Sequence, residues 1–331
     1  MNSKSKVKGL ISKLGTLLAL IILCIVLTIA TDKFLTYSNF MNIIKQASIN
    51  CFIAAGMLLV LITAGIDLSV GFNCVLATCV MGVLMQAGVT NSFLLMAAAV
   101  LTSMVVGYVN GTLLTRLDLP HPFVSTLGMK FVAWGLALYI TAATPIGFKN
   151  QGVDGVLFLG SATINQFPVS FIAVIIAFII LHVFLTRTKL GRQIYCVGGN
   201  PEASRLSGID SKKVLRIVYT LTGLLCGIAG IILVGRVSTA NGNAGTTFDT
   251  DAVAACIIGG ASFTGGKGTI WGTMIGALLI AVMRNGLNLL GAQTDVQYII
   301  IGLIIIIAVL IDVTRGKAEL RARKRATVAG K

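Results

Sequence analysis

The stretch "ASFTGGKGT" (261–269) is the part of the sequence that most resembles a nucleotide-binding loop. Such a loop needs Gly-x-x-x-x-Gly-Lys-Ser/Thr, because its backbone N–H groups cradle phosphates and its hydroxyl holds magnesium. Here Ala261 stands at the first glycine and Gly268 follows Lys267, so the pattern fails at both ends. The stretch also lies between two apolar runs rather than after a strand. Seven cysteines (Cys24, Cys51, Cys74, Cys79, Cys196, Cys226 and Cys256) form no CxxC pair. Most sit in apolar runs, where cysteine acts as a small hydrophobe, which speaks against a metal site or a disulfide framework. His121 and His182 are solitary. No nucleophile, base and orienting group can be assembled, so the sequence argues against a membrane-bound hydrolase. Of the eleven acids, Asp67, Asp249, Asp251 and Asp295 stand at expected helix starts, where Asp caps free N–H groups and complements the helix dipole. Asp312 sits near Arg315 at an inner membrane edge; Asp118, Glu202, Asp210 and Glu319 are expected inside, Asp32 and Asp154 outside. None is placed at mid-membrane, where ion-coupled carriers usually keep an ionisable group.

The elements that must position these residues are apolar helices. Of 331 residues 56% are hydrophobic and 11% charged, against about 25% charged in soluble domains. Apolar stretches recur at lengths that cross a bilayer, and no alternating short strands suggest a barrel. The fold class is therefore an all-α polytopic membrane protein. Ten spans are expected, several short or broken: 14–31, 48–65, 67–88, 92–116, 123–142, 168–187, 212–235, 248–263, 269–289 and 295–313. An even number puts both termini on one side. With that side cytoplasmic, 20 of the 26 Lys and Arg fall inside, as the positive-inside rule requires. Lys33, Lys45, Lys130, Lys149, Arg236 and Arg284 are the remainder. This placement, without aromatics interleaved in a basic groove, explains the net charge of +15 without nucleic acid. The basic N-terminus lacks a small-x-small cleavage site and reads as an uncleaved first span. The whole chain reads as one membrane domain: a tail at 1–13, spans over 14–313 with a cytoplasmic loop at 188–211, and a basic tail at 314–331.

Glycines at small-xxx-small spacing (Gly107 and Gly111, Gly223 and Gly227, Gly272 and Gly276) let helix backbones approach closely in lipid. "TAGIDLSVG" (63–71) and "IGGASFTGGKG" (258–268) interrupt apolar runs. Gly65, Ser69 and Gly71 match Gly260, Thr264 and Gly266 at a constant offset of 195, which suggests a parallel internal repeat of the kind seen in transporters. Asp67 and Ser69 are expected to cap the third span, and Thr264 the ninth. Both breaks are expected at cytoplasmic span ends, bracing an inner gate. Asn110, Thr126, Asn285 and Asn288, polar within or beside spans, are candidates to line a pathway.

Between the sixth and seventh spans lies "GGNPEASRLSGID". Asn200 suits an N-cap, Pro201 the first helical position, Glu202 the positive end of the dipole, and Gly208 the C′ position. The resulting helix, about 201 to 207, is too short to be stable alone in water. Its face of Ala203, Leu206 and Ser207 needs something to pack on.

The chain resembles the permease subunits of ABC importers of the ribose/xylose/galactose/autoinducer-2 type. The resemblance runs from "FLTYSNFMNIIKQ" to "AVLID" through "ITAGIDLSVG", "LPHPFVSTLGM", "YCVGGNPEASRLSGI", "DAVAACIIGGASFTGGKGTIWGTMIGALL" and "NGLNLLG", in order. It implies a bacterial plasma-membrane importer of a monosaccharide. Its partners would be a second permease copy or homologue, a cytoplasmic ABC ATPase and an extracytoplasmic sugar-binding protein. ATP and magnesium would be held by the ATPase, with no cofactor on this chain. It also implies that the segment matching 199–209, with Gly199, Asn200, Pro201, Glu202, Ala203, Arg205, Leu206 and Gly208, is the coupling helix. Two departures stand out: Trp134-Gly135 replaces the family's frequent Arg-Gly, and Lys130 replaces a usually uncharged residue. The alternative reading is an ion-coupled secondary sugar carrier, against which the lack of a mid-membrane acid counts.

Overall fold

The computed structural model describes residues 3–117, 119 and 121–329. Asp118 lies outside the described residues, as do the side chains of Asp312, Arg315, Glu319 and the basic terminal segments. Thirteen helices are described: α1 (Ser3–Ala30), α2 (Tyr37–Ile62), α3 (Val70–Gln86), α4 (Ser92–Arg116), α5 (Pro122–Ile140), α6 (Asp154–Ser161), α7 (Val169–Arg187), α8 (Lys189–Gly199), α9 (Pro201–Leu206), α10 (Ser211–Val237), α11 (Phe248–Ile258), α12 (Ile270–Leu289) and α13 (Thr294–Ala329). Two short antiparallel ribbons accompany them. In the first, β1 (Ile146–Gly147) pairs with β4 (Thr239–Ala240); in the second, β2 (Thr163–Ile164) pairs with β3 (Phe167–Pro168).

Six helices (α2, α4, α5, α7, α10 and α12) are long and apolar enough to cross a membrane, and α1, α3 and α13 contain shorter apolar stretches. The chain is thus a polytopic helical protein. Apart from Asn50, helix α2 is apolar on every side from Ile49 to Ile62, and all of that stretch is buried, as expected of a central helix. Helices α10, α11 and α12 pack around it. Helices α5 and α7 bury only narrow stripes and lie at the periphery.

Backbones meet wherever the small-residue pairs fall. A Cβ on Gly107 would overlap the Tyr219 carbonyl oxygen, and one on Gly223 the Ser103 carbonyl oxygen, so α4 and α10 cross without side chains between them. Gly276 and Gly272 likewise admit α12 against the carbonyls of Ala255 and Gly259.

Several boundaries differ from the sequence expectation. Helix α2 starts at Tyr37, not 48, because Thr36 caps it by accepting from the Asn39 N–H at 3.4 Å; its first turns are polar and carry no span signal. The terminal helices are longer than the expected spans, α1 beginning at Ser3 and α13 continuing to Ala329. Two helices fall where no element was expected. The eight-residue α6 seats Gly160 against Gly235 of α10. Helix α8 buries Gly191, Ile194, Val197 and Gly198, one face at helical spacing, inside what the hydropathy pattern showed as a loop. Helix α11 has 11 residues, about 16 Å at 1.5 Å per residue, roughly half of a 30 Å hydrocarbon core.

Candidate functional site

The short helix α9 stands where the spacing of Asn200, Pro201 and Gly208 put it, ending at Leu206. The Asn200 side chain accepts from the Ala203 N–H at 3.0 Å. Gly208 takes φ +77°, the Gly208 N–H donates to Arg205 and the Ile209 N–H to Ser204, closing the helix in a Schellman motif. Glu202 and Arg205 pair on the surface at 2.7 Å. Only Ser204 turns inward; Ala203 and Ser207 are exposed, and Leu206 is 75% exposed, an apolar side chain held out on a rigid turn.

Asn200 alone separates α9 from α8, and α8 is fixed from beneath. The two chain breaks, 63–69 and 259–269, meet its end. The Ile62 carbonyl accepts from the Gly266 N–H at 2.8 Å. Gly265, at φ +80°, sits against Ala64 and the Gly198 carbonyl, each 2.7 Å from where a Cβ would be. Gly266 fits against Gly199. The Tyr195 hydroxyl donates to the Gly268 carbonyl at 2.8 Å; burial raises its pKa above the ordinary phenol value, so it stays a donor. The two breaks and the root of α9 therefore form one packed junction.

The match at offset 195 does not survive in the geometry. Gly71 is helical in α3, whereas Gly266 is left-handed at φ +69°. The correspondence lies one residue on. Helices α2 and α11 end in the same motif: Ala64 at φ +59° and Gly260 at φ +90° occupy the C′ positions, with Gly65 N–H to Val60 and Ala261 N–H to Cys256. Capping differs too. Asp67 accepts from both the Ser69 N–H (2.9 Å) and its hydroxyl (2.6 Å), and Ser69 makes no side-chain cap to α3. Thr269, not Thr264, caps α12 by accepting from the Gly272 N–H at 3.1 Å; Thr264 bonds Ser262. Gly71 instead admits the Gly245 carbonyl, 2.7 Å from its absent Cβ.

Three of the four pathway candidates are buried in bonds between elements. Asn110 donates to Ser69 at 2.9 Å, Thr126 to the Ile66 carbonyl at 3.3 Å, and Asn285 exchanges bonds with Asn39 at 2.7 and 3.0 Å. Asn288 is exposed and accepts from Gln297. These bonds join α4 and α5 to the first break, α12 to α2, and α12 to α13.

Asp249 and Asp251, expected as helix-start caps, are buried inside the bundle in the first turn of α11, 1% and 2% exposed. Neither is a free cap. Lys130 of α5 meets Asp249 at 2.6 Å, and Arg284 of α12 grips Asp251 through two bonds of 2.7 and 2.8 Å. The presence of Lys130 and Arg284 inside apolar runs was a signal that each needed a partner, though not of which acid supplied it.

The sequence profile of the family described as "Branched-chain amino acid transport system / permease component" matches residues 39–309. The ribose import permease protein RbsC of Bacillus subtilis (strain 168) is 39% identical over 305 residues, covering 92% of this chain and 94% of that protein. The D-allose transport system permease protein AlsC of Escherichia coli (strain K12) is 39% identical, covering 91% of each. The galactose/methyl galactoside import permease protein MglC of Salmonella typhimurium (strain LT2) is 33% identical, covering 90% of this chain and 93% of that protein. No solved structure gives a significant match.

Proposed function

The chain belongs to the branched-chain amino acid transport system / permease component family, and within it to the ribose-type sugar permeases; from that premise we propose that it is the membrane-spanning subunit of an ATP-driven monosaccharide importer. A multi-pass protein of the bacterial inner membrane, it would work with a second permease, an extracytoplasmic sugar-binding protein and a cytoplasmic ATPase that holds ATP and magnesium. The observation that carries this reading is the junction under α9. A capped helix of six residues offers Leu206 outward, and its root is packed against both chain breaks. When the motor subunits close on ATP, a push on α9 is passed through α8 to Ile62, at the end of α2, and to Gly266, in the break between α11 and α12. The breaks act as the inner gate of the notched spans; they bind no sugar.

Two of the three buried acids, Asp249 and Asp251, do not favour an ion-coupled carrier, because each already holds a cation of the same chain, while Asp67 is engaged by the Ser69 N–H and hydroxyl.

Leu206→Asp tests the docking role. Leu206 is exposed, so the fold should be untouched. A charge in a desolvated contact costs about 2 kcal/mol or more, so co-purification with the ATPase and sugar uptake should both fall at least tenfold, with normal membrane insertion. Unchanged uptake and unchanged association would remove α9 as the coupling helix.

A further inference from the structure

Helix α5 carries a charged residue and an indole halfway along its length, at a place where neither is expected to face lipid. Lys130 lies about 12 Å along α5 from Pro122 at 1.5 Å per residue, and it keeps 21% of its side chain exposed while pairing with Asp249. One turn on, the Trp134 indole stacks on Phe72, centroids 5.0 Å apart, and its Nε1–H donates to Asn243 Oδ1 at 3.0 Å. Asn243 is held by Asn241, whose side-chain oxygen accepts from the Asn243 N–H at 3.0 Å. Asn241 and Asn243 are exposed and belong to the irregular segment leading into the half-length α11, and Thr250 is exposed in its first turn. Irregular backbone and free amides at membrane depth must face protein or water. One further group completes the patch: Asp249 Oδ1 is buried and has no hydrogen-bond partner, an acceptor left open beside the Lys130 ammonium.

We infer that Lys130, Trp134, Asn243 and Asp249 form a polyhydroxyl-binding wall of the translocation path, a subsite that contacts the passing sugar and sets which sugars pass. A partly exposed indole offers a flat apolar surface to the C–H face of a sugar ring. The amide of Asn243 and the Lys130–Asp249 pair offer donors and acceptors at its rim, the mixture that small-molecule sites use to fix orientation. The two links also close on themselves, Lys130 on Asp249 and Trp134 on Asn243, so with no sugar present the polar atoms are mostly satisfied and the wall stays shut. This is a role for Lys130 and Trp134, the two positions where the chain departs from the pattern it resembles.

The inference rests on the importer reading above, and the experiment separates the two. The assembled complex, with its ATPase and sugar-binding protein, is assayed for uptake of labelled D-ribose, D-allose and D-galactose. The parent is compared with Trp134→Phe, Trp134→Ala and Asn243→Ala. One stacked ring or neutral hydrogen bond is worth about three- to tenfold, so the ratios of uptake between sugars should shift by about that much. Sugar affinity of the separate binding protein should stay unchanged. Ratios equal to the parent's, whether total uptake holds or falls, overturn the inference, because a merely structural role would slow every sugar alike. A parent complex that imports none of the three, nor any other monosaccharide its binding protein takes up, defeats the importer reading itself. Trp134→Phe retains the ring and guards against a misfolded alanine variant. Labelling adds a measurement independent of rate. In a Cys196→Ser background, Asn243→Cys should react with a polar thiol reagent during ATP turnover, and a carried sugar should slow that reaction. An unreactive thiol, or one indifferent to sugar, overturns the wall.

Discussion

Arg284→Met is expected to destabilise the protein by about 3–5 kcal/mol, the range for stranding one partner of a buried ion pair. The Arg284 and Asp251 side chains are 11% and 2% exposed, and the guanidinium grips both carboxylate oxygens. Without it, Asp251 keeps its burial and loses both charge-assisted donors. The neighbouring Asp249 adds like charge, which leaves no better arrangement locally. The double variant Arg284→Met/Asp251→Leu should recover most of the loss, since replacing a buried pair by packed apolar groups is often neutral. Thermal unfolding of the purified chain in detergent reads both. A single variant as stable as the parent, or a double variant no better than the single, would show that the pair is not the anchor of α11 on α12.

Gly198→Val should abolish uptake. A Cβ at Gly198 would overlap the Ile62 carbonyl oxygen, which already accepts from the Gly266 N–H. Overpacking costs about 1–3 kcal/mol where side chains can yield; here the obstacles are the backbones of Ile62 and Thr63. The end of α8 must therefore leave the junction and carry α9 with it. Gly199→Ala is the control. It is the next residue, it lacks a left-handed φ, and its Cβ would meet nothing within 4 Å, so uptake should be close to normal. ATP hydrolysis and sugar uptake measured side by side check the pair. Equal activity in the two variants would mean that the junction does not transmit the motor's movement.

Much of the fold could be read from the chain, for reasons that also explain the omissions. Hydropathy marks every long helix because lipid demands long apolar runs. It is blind to α8, whose one buried stripe at Ile194 and Val197 is a signal of periodicity, and to the polar first turns of α2. Helix α9 was legible residue by residue because caps are local: Asn200, Pro201 and Gly208 each act within their own turn. The breaks were legible as breaks but not in register, since Ala64 and Gly260 share a backbone conformation with no shared residue type. The Lys130–Asp249 and Arg284–Asp251 pairs join residues 119 and 33 positions apart, and one sequence gives no means of matching a cation in one helix to an acid in another. Asn110, Thr126 and Asn285 show why polarity in a span is hard to read from sequence: it can bond neighbouring elements or face water, and the bonds each one makes here are visible only in the fold.

The half-length of α11 also bears on how the chain is made. Eleven residues with two carboxylates in the first turn are too short and too polar for a bilayer to accept as an independent segment. Lys130 is synthesised well before α11, while Arg284 follows it in α12. A matched Asp251 charge requires Arg284 of α12, so α11 and α12 are expected to enter the membrane together, as one unit of insertion.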